Sequence, residues 1–303
     1  MVNYNISGGK RFRSSFCRSL LATFDHKQPL EVINSFELCL EILQACCLMA
    51  DDMVDESPTR RGRPSWHTVV GLQAINDIGL LRETANYIVK QNLGHHSNYA
   101  ALLDLISEAT RIAYCGQTLD MMTSDNFKQS GDFSSYTLDV YQEIMKMKGG
   151  FTTFVGPTRL ALLIYGKTDQ TMLLAFDHLA IRLAELHGMQ DDMIDVYGDE
   201  TLTGKKGTDI VNAKCAWPIV TALSLATEEQ RNILIENFGK ADEECEQKVK
   251  SVFDELDIKS LFKEKEKQMS VEITKEIDKL CKEYEVNPIP FKDLLKLLMN
   301  RKK

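Results

Sequence analysis

Apolar residues recur every three or four positions along most of this chain, and that spacing predicts helices. The clearest stretch is 30–55, where apolar and polar positions alternate at helical pitch with no glycine or proline. The same pattern predicts helices over about 72–93, 98–123, 133–155, 157–166 and 170–196, then 211–225, 227–253, 257–286 and 289–301. Ser57-Pro58, Gly62-Arg63-Pro64, Gly94-His95-His96, Ser130-Gly131-Asp132, Gly166-Lys167 and 203–207 punctuate them as loops. Alternating β-branched runs with hairpin turns are not evident. The pattern therefore reads as all-α, one large helical bundle over 1–303. Bundles build their sites from side chains on facing helices.

Composition narrows this picture. A chain of 303 residues, 44% apolar and 26% charged, has ample core for a globular fold. Its formal charge of −8 argues against general nucleic-acid binding. No uninterrupted apolar run reaches the length of a membrane span, and no signal peptide opens the chain. The eight cysteines lack zinc spacing, and Cys46-Cys47 lies inside a helical run, so they read as reduced thiols. A cytoplasmic setting is the expectation, with a targeting segment ahead of residue 1 left open.

One pentapeptide changes the reading from fold to chemistry. Asp51-Asp52-Met53-Val54-Asp55 recurs 140 positions on as Asp191-Asp192-Met193-Ile194-Asp195, each copy in an apolar helical stretch. Carboxylates facing an interior need cations to neutralise them. On a helix the first and last aspartates share a face and can grip one ion. Such hard oxygen donors suit Mg2+, which keeps part of its water shell and bridges to phosphates. A single copy is often only a solvated acidic face; two copies flanked by cations are not.

The cations fit that chemistry. Lys10 and Arg13 stand three apart at a predicted helix start, where free N–H groups also favour anions. Gln44 lies two turns before Asp51, and Arg60-Arg61 follow the first motif with forks matched to phosphate oxygens. Gln117 and Asp120 share a helix, Lys148 ends a cationic pair with Lys146, and Lys205 and Lys214 follow the second motif. Trp66 and Trp217 read as structural, and His95-His96 as exposed.

In that order these motifs resemble the trans-isoprenyl diphosphate synthases, nearest the farnesyl type, and the likeness runs over essentially the whole chain. It implies a helical bundle with a deep cavity, usually a homodimer, in which several Mg2+ ions ionise an allylic prenyl diphosphate. By position it gives the metal side to Asp51, Asp52, Asp55, Gln117, Asp120, Asp191, Asp192 and Asp195. Arg60, Lys148, Lys205 and Lys214 match the cations that hold the allylic diphosphate. Gln190 is expected among the substrate contacts, and Lys10, Arg13, Gln44 and Arg61 match the pocket for isopentenyl diphosphate. Lys148, Lys205, Arg60 and Gln117 are the expected catalytic set.

Departures from the family pattern cluster ahead of the second motif and after Lys148. His187-Gly188 stands where farnesyl synthases carry Phe-Gln, and the family's threonine and a nearby tyrosine are replaced within Lys148-Gly149-Gly150-Phe151-Thr152. Cys46-Cys47 replaces an aromatic pair that sets chain length, which predicts a deeper floor. Loss of an aromatic wall there removes cation–π stabilisation of up to roughly 2 kcal/mol. His187 is also a candidate base, against the plainer reading of a packed histidine. The cluster favours a terpene synthase acting on one prenyl diphosphate, farnesyl first. The alternative is a prenyltransferase that condenses isopentenyl diphosphate with an allylic partner. A catalytically silent partner subunit fits poorly with two complete aspartate motifs.

Overall fold

The computed structural model describes residues 1–24, 29–199 and 207–301. Helices α1 (Val2–Ile6) and α2 (Phe12–Leu21) precede the long α3 (Leu30–Val54), whose buried side carries Phe36, Cys39, Leu43, Cys46 and Met49. That three-to-four spacing packs α3 against α5 (Gln73–Leu93). A minimal antiparallel ribbon, Thr59–Arg60 against Arg63–Pro64, and the short α4 (Trp66–Val70) bridge the two. By length and composition α3 could cross a membrane, contrary to the expectation from sequence, but half of its most apolar stretch is buried in the bundle.

Helix α6 (Tyr99–Ser130) ends at Gly131 with φ +68°, a left-handed cap that suits glycine. Helix α7 (Leu138–Met145) starts on Thr137, whose hydroxyl accepts from the Val140 N–H, and runs on into a π-helix (Lys146–Val155) and α8 (Gly156–Ile164). Asp169 caps α9 (Gln170–Tyr197) in the same way. The remainder comprises α10 (Trp217–Leu225), α11 (Glu228–Asn237), α12 (Glu243–Glu255), α13 (Ile258–Glu283) and α14 (Ile289–Met299).

The centre of the bundle is a close approach of α6, the π-helix and α9, and three glycines permit it. A Cβ on Gly116 would lie 2.3 Å from the Lys148 nitrogen, and one on Gly150 would lie 2.9 Å from Ala184 Cβ. A Cβ on Gly188 would lie 2.4 Å from Met145 Sδ. Backbone therefore meets backbone at Gly116, and the widened π turn accommodates it.

Several boundaries differ from the periodicity. The stretch 227–253 splits at Gly239 (φ +77°), because Asp242 starts a new helix by accepting from the Cys245 N–H. The stretch 211–225 becomes helical only at Trp217, where Pro218 sits at the first turn. Helix α6 runs on to 130 rather than 123.

Candidate active site

The first motif occupies the last turn of α3 and the residue that caps it, beside a cavity of about 440 Å³. Three cations converge on it. Lys148 Nζ lies 2.9 Å from Asp51 Oδ1 and 2.8 Å from Asp120 Oδ2. Lys214 Nζ lies 2.7 Å from Asp55 Oδ1 and 2.9 Å from the same Asp120 oxygen. Arg60 donates to Asp51 at 3.2 Å and to Asp52, through Nε, at 2.8 Å. Burial pushes the Asp51 carboxyl up, but Lys148, Arg60 and Lys214 more than offset it and hold it at about 2. Asp120 is held low by the same two lysines against its burial, and Lys148 is raised by Asp51 and Asp120 despite desolvation.

The second motif lies in the last two turns of α9. Asp191 is half exposed, pairs with Arg301 and stands 3.4 Å from His187 Nδ1. One oxygen of Asp195 accepts the Thr208 and Asp209 N–H groups, both at 2.9 Å. Asp192 faces inward and accepts the Trp217 N–H at 2.8 Å, capping α10, and burial pushes it up to about 7.

Asp51, Asp191 and Asp195 line the same cavity, with Asp120 and Asp55 behind the lysines. Among the described residues no three carboxylates, imidazoles or thiols stand close enough to enclose an ion by themselves. The outer aspartates instead present separate oxygens across open space, a donor set for a hydrated divalent cation completed by phosphate oxygens. Gln117 Nε2 is buried on this cavity with no partner, and so is Arg13 Nε. Orphaned donors of this kind are costly unless a ligand takes them.

Arg13 and Gln44 line the same cavity as Arg60 and Lys148. Arg13 is almost fully buried, its NH1 3.4 Å from Glu41, and burial lowers its basicity. Lys10 is exposed nearby and adds to the positive field at His187. Cys47, Tyr114, Met145, Thr153 and Phe154 form the apolar side. His187 packs its ring 5.7 Å from Phe12 and 5.6 Å from Phe154, and burial pushes it down to about 4, so it is neutral. The aromatic wall expected to be lost is thus present, built from Phe12, Phe154 and the imidazole.

Other expectations need correction. Gln190 points away from the cavity and donates to Glu266 at 2.8 Å and to the Leu298 carbonyl at 3.1 Å, tying α9 to α13 and α14. Asp52 lies on the far side of α3 as the anchor of Arg60, whereas Asp192 lines the cavity and also accepts from the Trp217 N–H of α10. Arg61 turns to α1 and donates to the Asn5, Ile6 and Ser7 carbonyls, the unsatisfied end of that helix. Cys46 faces α5 with its thiol on the Ile78 carbonyl, so only Cys47 shapes the floor, and Thr152 bonds back to Gly149. Lys205 and the tail residues Lys302 and Lys303 lie outside the described residues. Tyr114 and Met145 were not expected; Tyr114 sits three before Gln117 on one helix face, a spacing the sequence displays.

Acidic groups and buried cations around an apolar cavity in a helical bundle define a diphosphate-handling enzyme, and residues 1–256 match the polyprenyl synthetase family, to which the chain belongs. Farnesyl pyrophosphate synthase of Candida albicans is 35% identical over 92% of this chain and 82% of its own length. The Saccharomyces cerevisiae farnesyl pyrophosphate synthase is likewise 35% identical, over 92% and 81%. The solved Trypanosoma brucei farnesyl diphosphate synthase, complexed with risedronate, superposes with a TM-score of 0.91 at 26% identity, covering 99% of this chain and 89% of that one.

Proposed function

We propose that this protein is a magnesium-dependent prenyltransferase that joins isopentenyl diphosphate to an allylic diphosphate, with a farnesyl-type product. The observation that carries the reading is the second anion-holding end of the cavity. Arg13 and Gln44 share it with Arg60 and Lys148, and an enzyme of one substrate has no use for both. The relatives named above, all farnesyl synthases, support the same choice over the one-substrate reading favoured by the sequence. A cytoplasmic homodimer belongs to this proposal too.

Asp51, Asp55, Asp120, Asp191 and Asp195 would hold magnesium, which supplies charge to neutralise the departing diphosphate. Lys148, Lys214 and Arg60 exchange their carboxylate partners for diphosphate oxygens as the C–O bond breaks. Preorganised cations in a partly desolvated site favour that charge separation electrostatically. Gln117 donates its idle N–H to the same group. Phe12 and Phe154 face the allylic cation with ring π-density, and the apolar side excludes water. Arg13, Lys10 and Gln44 hold the acceptor diphosphate so that its alkene meets the cation.

One feature favours a second reading, conversion of farnesyl diphosphate alone to a terpene. At Gly188 the side chain is missing and Met145 Sδ fills the space, and Gly149 and Gly150 thin the opposite wall. Incubation with Mg2+ and each substrate set decides. Prenyl diphosphates formed only when isopentenyl diphosphate is present support condensation. Hydrocarbon or alcohol from farnesyl diphosphate alone, with no elongation, rejects it for the terpene synthase.

A further inference from the structure

Lys214 holds the first motif from a loop that must turn unfavourably to present it. Ala213 is fully buried with φ +54°, a left-handed conformation that crowds the Cβ of an L-residue. Its own N–H reaches the Ile210 carbonyl at only 3.3 Å, whereas the Lys214 N–H is taken by the Asp209 carbonyl at 2.9 Å. What grips Ala213 is its carbonyl, which accepts from the Tyr136 hydroxyl across 77 residues of sequence. Tyr136 is itself fixed in a cluster of rings, 5.1 Å from Phe133, 5.6 Å from Phe127 and 6.0 Å from Phe238. Behind Ala213, Gly239 closes the other side, since a Cβ there would stand 3.0 Å from Ala213 Cβ.

We infer that Tyr136 is a positioning residue: its hydroxyl locks Ala213 left-handed and thereby aims the Lys214 ammonium between Asp55 and Asp120, ready for diphosphate. The rings around it keep the phenol in place, and its burial keeps it protonated, so it stays a donor. The inference rests on the reading of Lys214 as a diphosphate cation and holds whichever partner the prenyl cation later meets.

The test is inorganic diphosphate binding with Mg2+, followed by calorimetry beside a thermal melt and steady-state kinetics. Lys214→Ala examines the underlying reading; unchanged diphosphate affinity there would reject that reading rather than the role of Tyr136. Given a loss in Lys214→Ala, Tyr136→Phe keeps the ring and should weaken diphosphate about fivefold to tenfold, the worth of one hydrogen bond. Its KM for the allylic diphosphate should rise by a similar factor. Adding Ala213→Gly, which adopts the left-handed turn freely, should restore most of that affinity in the Tyr136→Phe protein. A merely structural tyrosine would lower the melting temperature and leave affinity unmoved. Affinity within twofold of wild type in Tyr136→Phe, or no recovery with Ala213→Gly, overturns the inference.

Discussion

The two aspartate motifs share a pattern, and among the described residues different groups hold them. Around Asp51, Asp52 and Asp55 stand three cations, with Asp51 at about 2. Around the second motif the described cation is Arg301, the remaining contacts described include backbone N–H groups, and Asp192 is pushed up to about 7. A shared D-D-x-x-D pattern does not imply identical work: the neighbouring chain decides which groups each carboxylate meets.

The largest expected effect treats the motifs alike. Asp51→Ala and Asp191→Ala should each reduce kcat by about a thousandfold or more, and chelation should do the same until Mg2+ is returned. Near-normal turnover in either variant, in a radiolabelled prenyl diphosphate assay, would remove that motif from the site. Stability should then separate them. Lys148→Ala leaves Asp51 and Asp120 short of a cation in a partly buried place and should cost roughly 3 kcal/mol in a urea titration. Arg301→Ala, whose partner Asp191 is half exposed, should cost under about 1 kcal/mol. Equal losses would cancel the contrast.

The acid limb sharpens it further. Asp51 titrates lower folded than unfolded, so its stabilisation is complete above about pH 4 and is lost as pH falls toward 2. In metal-free protein Asp51→Asn should therefore flatten the acid unfolding curve, by roughly 2 kcal/mol between those limits. The smallest effect is expected at Gln190→Leu, which loses bonds to α13 and α14 away from the cavity: a lower melting temperature with KM within about twofold.

Much of this arrangement is legible in the chain itself. The long helices follow from apolar spacing, and the cavity's acidic and basic residues follow from motifs in fixed order. Helical geometry even marks the errors. Asp52 and Gln190 each lie one residue, about 100° of turn, from a cavity-facing neighbour, and each proves to hold the protein together. The sharing of Asp120 by Lys148 and Lys214 is invisible locally, since the partners come from 28 and 94 residues away. The π-helix is likewise a tertiary effect: Gly149-Gly150 suggests a weak point, but the approach of Gly116 sets its form.

Both acidic clusters fall at the C-terminal ends of long helices, Leu30–Val54 and Gln170–Tyr197. There unpaired carbonyls add about half a negative charge per helix, the least favourable place to put a carboxylate. The fold thus sets its carboxylates where helix ends oppose them, and Arg60, Lys148, Lys214 and Arg301 offset that cost until divalent ions arrive.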